Sequence, residues 1–266
     1  MKKFLDINDI KICVDDTEVG EKAVLLFHGL TASKESMYFI RDMLKDEYRV
    51  ITIDTRGHGE STRPKEYCLD DHANDAHEII KQLNLGKVDI LGYSMGSYIA
   101  LRTAETYPED IDHLILACTK PNGKTSSIAR LLNEAGLDIT EVTQDEMMQV
   151  IMKAIAAPHT LELIEKGEFD LDAFNGDGSQ DLNDEEKASE DASIAGFDNS
   201  KDYDKVSCKT FVIAAEYDGI NPPELGREVA MGIKDAKFEL VSDAGHMVYM
   251  EKPEEFEKLV KDFLNE

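Results

Sequence analysis

Short, mostly apolar segments alternate with helix-like segments along the first half of the chain. The helix-like segments cover residues 34–45, 69–83 and 95–106. The apolar segments carry few polar residues, as strands covered on both faces do; they are KAVLLFHG at 22–29, RVITID at 49–54, KVDILGY at 87–93 and DHLILACT at 112–119. The alternation predicts an α/β protein with a mostly parallel sheet, whose opening residues 2–16 alternate like an antiparallel hairpin.

The alternation of strand-like and helix-like segments stops between residues 120 and 204. Within the stretch, Met147, Ile151 and Ile155 recur at helical spacing on the apolar face of a predicted helix. Acidic residues then outnumber lysines by fourteen to three over 165–204. A segment of this length is longer than an ordinary connection between elements.

Strand-like segments return at 209–216 and 237–243, and a last helix is predicted over 254–264. We therefore predict two parts of the chain. They are an α/β core of residues 1–119 and 205–266, and a helical, acidic cap, or lid, of residues 120–204.

Composition and charge narrow the classes of function. The chain has 266 residues and a formal net charge of -26, which repels nucleic-acid phosphates and anionic lipids, so we expect neither as a partner. The longest apolar runs are far shorter than the roughly 20 residues of a membrane helix, and Asp6 and Asp9 interrupt any signal sequence. The four cysteines lie far apart and form no C-x-x-C pair, which argues against a zinc ribbon or a disulfide scaffold, and we expect no metal. We expect a cytoplasmic monomer or homodimer.

The sequence GYSMG at 92–96 matches the G-x-S-x-G pattern of a nucleophilic serine. The match is weak alone, but here a strand-like segment precedes it and a helical segment follows it. That context suits a tight turn that projects the serine hydroxyl, with glycines where backbone segments approach closely. We predict Ser94 as a nucleophile.

A serine hydroxyl needs a base, and the base needs an orienting carboxylate. Asp218 and His246 each follow a late strand-like segment, in the order that this architecture requires. Glu216, on the same strand exit, stays open as an alternative acid. Asp243 is disfavoured because it lies only three residues before His246, which leaves little chain to fold its carboxylate back onto the imidazole.

Attack on a carbonyl creates an oxyanion, which backbone N–H groups stabilise. One donor is predicted to be the N–H of Met95, directly after the serine. The other is predicted to be the N–H of Leu30, in the HGL sequence after the first long strand.

Taken together, five motifs resemble the α/β-hydrolase superfamily. They are HGL at 28–30, DTRGHGES at 54–61, GYSMGS at 92–97, AAEYDGINPP at 214–223 and AGHMVYMEKPEEF at 244–256. The resemblance implies an α/β-hydrolase fold: a mostly parallel eight-stranded sheet with helices on both faces and an inserted helical cap. It also implies a structural role for Asp54, Arg56 and Ser61 in the loop beside the active site. Ser97 departs from the second glycine that many relatives carry after the serine.

The same resemblance implies a cofactor-free serine hydrolase of carboxylic esters, lactones or thioesters, similar to carboxylesterases and 3-oxoadipate enol-lactonases. The expected partner is a small ester-type substrate, and Met147, Ile151 and Ile155 are expected to line its site. Alternatives are a C–C bond hydrolase, a perhydrolase, and a small-molecule receptor that keeps the three residues. Ser94 argues against haloalkane dehalogenases and epoxide hydrolases, which carry aspartate there.

One further motif lies in the acidic stretch. Residues 175–186 place oxygen-bearing side chains at the spacing of a twelve-residue calcium loop, ending in Glu186. Position six is Gln180, where that loop requires glycine. A solvated acidic linker is therefore the favoured interpretation.

Overall fold

The chain builds an eight-stranded sheet. The computed structural model describes residues 1–171, 174 and 182–266. The strands are β1 (Lys2–Ile7), β2 (Ile10–Asp16), β3 (Ala23–Phe27), β4 (Arg49–Ile53), β5 (Val88–Tyr93), β6 (Ile111–Ala117), β7 (Lys209–Ala215) and β8 (Lys237–Val241). The central strands β3 and β5 are buried along their whole length, which explains their unbroken apolar sequences.

The strand order is β1-β2-β4-β3-β5-β6-β7-β8. The first two strands pair antiparallel, as the alternation at 2–16 predicts, and β2 also pairs antiparallel with β4. All the remaining pairs are parallel. The carboxyl ends of β3, β5, β6, β7 and β8 therefore meet at one edge of the sheet, and the predicted mostly parallel α/β fold is confirmed.

Ten α-helices lie in the described residues. They are α1 (Tyr38–Leu44), α2 (Leu69–Gln82), α3 (Met95–Thr106), α4 (Ser127–Glu134), α5 (Gln144–Ile155), α6 (Pro158–Glu165), α7 (Asp184–Ser193), α8 (Pro223–Gly232), α9 (Val248–Glu251) and α10 (Pro253–Leu264). Helices α2, α3 and α8 pack on one face of the sheet, and α1 and α10 pack on the other. None of the described helices is long and apolar enough to cross a membrane.

Local sequence explains where several helices begin. Thr143 and Glu146 form a reciprocal capping box at the start of α5. Proline occupies the first turn of α6, α8 and α10, where its missing N–H costs no helical hydrogen bond. The predicted last helix, 254–264, accordingly begins one residue earlier, at Pro253.

The two ends of the 120–204 segment lie side by side. Gly123 N–H donates to Phe197 O at 2.9 Å, and Asn199 N–H donates to Pro121 O at 3.1 Å. Between them the chain forms α4, α5, α6 and α7. Residues 175–181 of the calcium-like motif lie outside the described residues. Glu186, the last position of that motif, caps the start of α7 by accepting a hydrogen bond from Asn183 N–H.

Candidate active site

The turn between β5 and α3 holds Ser94 in an unusual backbone conformation. Its φ of 52° and ψ of -119° are unfavourable for a residue with a Cβ, and surrounding structure must impose them. The flanking glycines permit this close packing. A Cβ at Gly92 would lie 2.2 Å from Gly96 O, and one at Gly96 would lie 2.1 Å from Phe27 O. The turn therefore requires glycine at both positions.

Ser94, His246 and Asp218 form a continuous chain of hydrogen bonds. Ser94 Oγ lies 3.0 Å from His246 Nε2, and His246 Nδ1 lies 2.8 Å from Asp218 Oδ2. All three side chains are buried. Because a carboxylate only accepts, Nδ1 carries the proton, which leaves Nε2 free to accept from the serine hydroxyl. In this tautomer the imidazole can take the proton of Ser94.

The carboxylate of Asp218 is held by backbone N–H groups of the turn that follows it. Asp218 Oδ1 accepts from Ile220 N–H at 2.9 Å and from Asn221 N–H at 2.8 Å. These two bonds leave Oδ2 for the imidazole. Glu216, the alternative acid, instead accepts from Asp243 N–H at 3.0 Å. Among the predicted acids, Asp218 is thus the one that contacts His246.

Contacts from the nucleophile strand and from α5 help to hold the loop that carries His246. Tyr93, the residue before the serine, donates its phenolic hydrogen to His246 O at 2.7 Å. The next residue in the loop, Met247, donates its N–H to Ile155 O at 3.2 Å. Burial raises the pKa of Tyr93, so its hydroxyl keeps the proton that it donates. The imidazole is therefore positioned from the nucleophile strand and from α5 together.

The N–H groups of Leu30 and Met95 are both available. Met95 opens α3, so its N–H has no partner within the helix. Neither N–H donates to another group in the part of the chain that the structure describes. Beside Leu30, His28 Nε2 accepts from Thr55 N–H at 3.2 Å. Burial, with the nearby His58, lowers the pKa of His28 to about 3, so this ring stays neutral and holds the loop.

The DTRGHGES loop is braced at the three positions that the resemblance implies. Ser61 Oγ donates to Asp54 O at 2.6 Å, and the Asp54 carboxylate accepts from Lys34 N–H at 2.7 Å. Arg56 forms two 2.6 Å hydrogen bonds with the buried Asp75 of α2. The geometry is that of a structural loop, as expected.

The predicted substrate-lining residues lie on α5 and are half-buried. Ile155 lies at the end of the helix that contacts the His246 loop. Met147 and Ile151 lie about 12 and 6 Å farther back along the helix axis, at a rise of about 1.5 Å per residue. Ala154 O also accepts from Gly219 N–H at 2.8 Å, beside Asp218. The carboxyl end of α5 therefore contacts both loops that carry the base and the acid.

Several residues near the serine escape sequence reasoning. Tyr98 lies one turn along α3, and its hydroxyl accepts from Asn221 Nδ2 at 2.7 Å. Lys120 is buried just beyond β6, and Thr119 Oγ1 and Asn221 Oδ1 are buried with no hydrogen-bond partner in the described part of the chain. Position alone gives a signal for Lys120, because it follows the carboxyl end of the strand beside the nucleophile strand.

Cys118 is a further polar group beside the base and the acid. Ligand atoms of Cys118, Asp218 and His246 lie within 4.8 Å of one another, a separation that could suit an ion. Burial raises the pKa of Cys118, which disfavours the thiolate that binds metals. The other two residues are engaged in the hydrogen-bond chain with Ser94, so their arrangement is explained without an ion.

Comparison with known proteins gives the family. A family model described as the alpha/beta hydrolase fold matches residues 22–161. A candidate 2-succinyl-6-hydroxy-2,4-cyclohexadiene-1-carboxylate synthase from Bacillus subtilis is 29% identical, over 94% of this chain and 93% of its own length. The family model alone covers more than half of the chain.

Two solved structures have a similar fold over the whole length of this chain. A thermophilic esterase from Thermogutta terrifontis is 25% identical with a TM-score of 0.79, covering 100% of this chain and 98% of its own. A bromoperoxidase from Bacillus anthracis is 25% identical with a TM-score of 0.82, covering 100% of both chains. The sheet, the matched family model and these similarities agree, and this chain belongs to the alpha/beta hydrolase fold family.

Proposed function

We propose that this protein is a serine hydrolase that cleaves carboxylic esters, lactones or thioesters through an acyl-enzyme on Ser94. The observation that carries the proposal is the hydrogen-bond chain from Ser94 Oγ through His246 to Asp218, at 3.0 and 2.8 Å. A hydroxyl on a strained turn, a base in the correct tautomer and a fixed carboxylate are the requirements for nucleophilic attack on a carbonyl.

The mechanism has two halves. Ser94 Oγ attacks the carbonyl carbon while His246 Nε2 accepts its proton, and the N–H groups of Leu30 and Met95 donate to the oxyanion. The tetrahedral intermediate collapses, the bond to the leaving group breaks, and His246 returns the proton to that group. Water then attacks the acyl-enzyme with His246 again as base, which releases the acid and restores Ser94. Asp218 stabilises the imidazolium in each half.

We also propose that residues 120–204 act as a cap on this site. Helix α5 supports this role because Ala154 O and Ile155 O bond to the loops of Asp218 and His246. Helix α7 meets the core elsewhere: Glu190 Oε1 lies 2.5 Å from His58 Nε2, in the DTRGHGES loop. Met147, Ile151 and Ile155 would then line the acyl side of the substrate.

The similar esterase favours ester hydrolysis. The similar bromoperoxidase keeps a perhydrolase as the second candidate, since both activities begin from an acyl-enzyme on the same serine. Hydrogen peroxide separates them: a perhydrolase transfers the acyl group to peroxide in preference to water, and an esterase does not.

The test is labelling with a fluorophosphonate, followed by mapping of the adduct and by turnover of a neutral nitrophenyl ester. We expect the adduct on Ser94, and a loss of about 10⁴-fold or more in kcat in Ser94→Ala. Ser242→Ala, an exposed serine in the loop before His246, is the matched control and should react like the wild type. Activity in Ser94→Ala equal to that of the wild type would overturn the proposal. A wild type that is labelled on Ser94 but stops after a single turnover of the ester would favour a receptor.

A further inference from the structure

A buried lysine lies at the carboxyl end of the strand next to the nucleophile strand. Lys120 is only 8% exposed. Its ammonium has one hydrogen-bond partner in the described residues, Ser127 Oγ at 3.2 Å, and lies 5.6 Å from the centre of the Tyr98 ring. A neutral hydroxyl and a ring face do not balance a full charge. The site therefore holds a cation without its counter-ion.

The charges around Lys120 make this site more unusual. In the described part of the chain, the Lys120 ammonium forms no ion pair with a carboxylate within 4.0 Å. The charged neighbour that acts on it is Arg130 of α4, another cation. Burial first, and then Arg130, lower the pKa of Lys120 to about 8. An unpaired buried charge is costly, and this chain has 55 acidic residues from which a partner could have come.

The position of Lys120 relates it to the reacting centre. Tyr93 pairs with Ala117 across β5 and β6, so Ser94 and Cys118 leave the sheet together. Lys120 is two residues farther on, a span of at most about 7 Å. Burial raises the pKa of Tyr98, and its hydroxyl accepts a hydrogen bond from Asn221 Nδ2 at 2.7 Å. Tyr98 lies four residues after Ser94, on the first turns of α3, and its ring centre lies 5.6 Å from the Lys120 ammonium. The Lys120 ammonium is therefore near the start of the helix that follows the nucleophile.

The neighbouring residue adds a second donor. Thr119 is buried, and its hydroxyl has no hydrogen-bond partner in the residues that the structure describes. Buried hydroxyls are seldom left unpaired, because the loss of water costs free energy that only a partner returns. An anion that accepts from Lys120 and Thr119 would meet both needs.

We propose that Lys120, with Thr119, forms an anion subsite beside Ser94, and that the substrate is an ester with a free carboxylate. The inference rests on the proposed function, because it assigns the charge of the molecule that Ser94 attacks. The carboxylate is carried by either the acyl part or the alcohol part, and both are bound by the same ammonium. Arg130 remains a supporting charge, because it donates to Gly219 O and pairs with Glu134.

The experiment compares kcat/KM for matched pairs of esters that differ only in charge. On the acyl side, the pair is the monophenyl ester of adipate against that of adipamate. On the alcohol side, the pair is 4-acetoxybenzoate against 4-acetoxybenzamide. We expect the wild type to prefer the carboxylate in at least one pair by on the order of 10- to 100-fold. The pair that shows the preference identifies which part of the substrate is anionic.

Three variants test whether Lys120 is the source of the preference for the carboxylate. Lys120→Met should reduce the preference to about one, and Lys120→Arg should retain most of it because the charge is kept. Lys124→Met removes an exposed lysine from the same connection and should leave the preference unchanged. Because the measured quantity is a ratio within each variant, a general loss of activity does not affect it. An unchanged preference in Lys120→Met, or no preference in the wild type, would overturn the subsite.

A binding measurement separates the two proposals. Adipate and benzoate, which cannot be hydrolysed, should raise the Tm of the wild type and not that of Lys120→Met. If no ester is turned over but these anions bind through Lys120, the proposed function fails and the subsite stands. If neutral esters are hydrolysed through Ser94 and no anion binds, the proposed function stands and the subsite is wrong.

Discussion

At the scale of single residues, the direction of each hydrogen bond decides the chemistry. Asp218 Oδ1 is occupied by two backbone N–H groups, which forces Oδ2 toward His246. The imidazole must then carry its proton on Nδ1 and accept on Nε2. The backbone of the 218–221 turn thus sets the tautomer of a histidine on another loop.

This dependence predicts the effect of Asp218→Asn. The amide oxygen would keep the two backbone bonds, so the NH₂ group would face His246 Nδ1. The histidine would then accept on Nδ1 and carry its proton on Nε2, where it can no longer take the proton of Ser94. We expect kcat for a neutral nitrophenyl ester to fall by about 10³- to 10⁴-fold, as loss of the correct tautomer does in serine proteases.

Glu216→Gln is the matched control, since it removes a carboxylate from the same strand exit. We expect its kcat to stay within about threefold of the wild type, because Glu216 bonds to Asp243 N–H and not to the imidazole. The reverse result, with Glu216→Gln inactive and Asp218→Asn active, would make Glu216 the acid.

Lys120 predicts a pH dependence at the same scale. Burial and Arg130 lower its pKa to about 8, so the cation is present below that pH and is lost above it. The preference of kcat/KM for a carboxylate over its carboxamide should therefore be greatest near pH 7 and decline as the pH rises past about 8. Measurement of both esters from pH 6.5 to 9.5 gives the ratio. Lys120→Arg should show a flat ratio over this range, and a flat ratio in the wild type would contradict the assignment.

These residues differ in how visible they are in the sequence. Ser94 is marked by its two glycines, and Asp218 and His246 are marked by their order after late strands. Lys120 carries no motif, because its significance comes from burial and from the absence of a counter-charge, which are properties of the packed chain. The catalytic and binding roles of all four remain predictions that the experiments above address.

At the scale of elements, the end of α5 is packed unusually tightly against two loops. A Cβ on Gly245, beside His246, would lie 2.7 Å from the backbone of Ala156. A Cβ on Gly219, beside Asp218, would lie 2.9 Å from Ala154. Both loops need glycine so that the proposed cap can contact the backbone directly.

Gly245→Ala tests this contact. The added methyl meets backbone atoms, so the His246 loop and α5 must separate. Overpacking of this kind costs about 1–3 kcal/mol. We expect a lower Tm, together with a fall in kcat for a neutral ester as the imidazole moves from Ser94.

Gly226→Ala is the control for that substitution. A Cβ at Gly226, in α8, would find its nearest neighbours at 3.5 Å, which is ordinary contact. Alanine also favours helix over glycine by about 1 kcal/mol, so the Tm should be equal or higher. A Gly245→Ala protein as stable and active as Gly226→Ala would show that α5 does not constrain the loop.

The elements also show where sequence patterns succeed. The strands β3, β5, β6 and β7 are buried along most of their length, so each produces an apolar segment that predicts it. Helix α8 was not predicted, because it is ten residues long, contains Gly226 and ends at Gly232. Only three of its residues are buried, which is too few to produce a clear periodicity.

At the scale of the whole molecule, the net charge opposes the proposed substrate. A chain of charge -26 repels an approaching carboxylate over a distance set by the Debye length. That length falls from about 30 Å at 0.01 M salt to about 8 Å at 0.15 M. The attraction to Lys120 acts over a few ångströms inside the protein, where salt screens it much less.

The repulsion by the net charge and the attraction to Lys120 therefore respond differently to salt, and this difference predicts an unusual salt dependence. Added salt should remove the repulsion and leave the attraction, so kcat/KM for the carboxylate ester should rise severalfold between about 0.01 and 0.15 M NaCl. The carboxamide ester carries no charge, so its kcat/KM should change little with salt. It therefore controls for effects of salt on the enzyme itself. A site whose anion preference came from exposed lysines would behave oppositely, because salt would screen the attraction. A fall in kcat/KM for the carboxylate ester would thus place its binding on the surface and not at the buried Lys120.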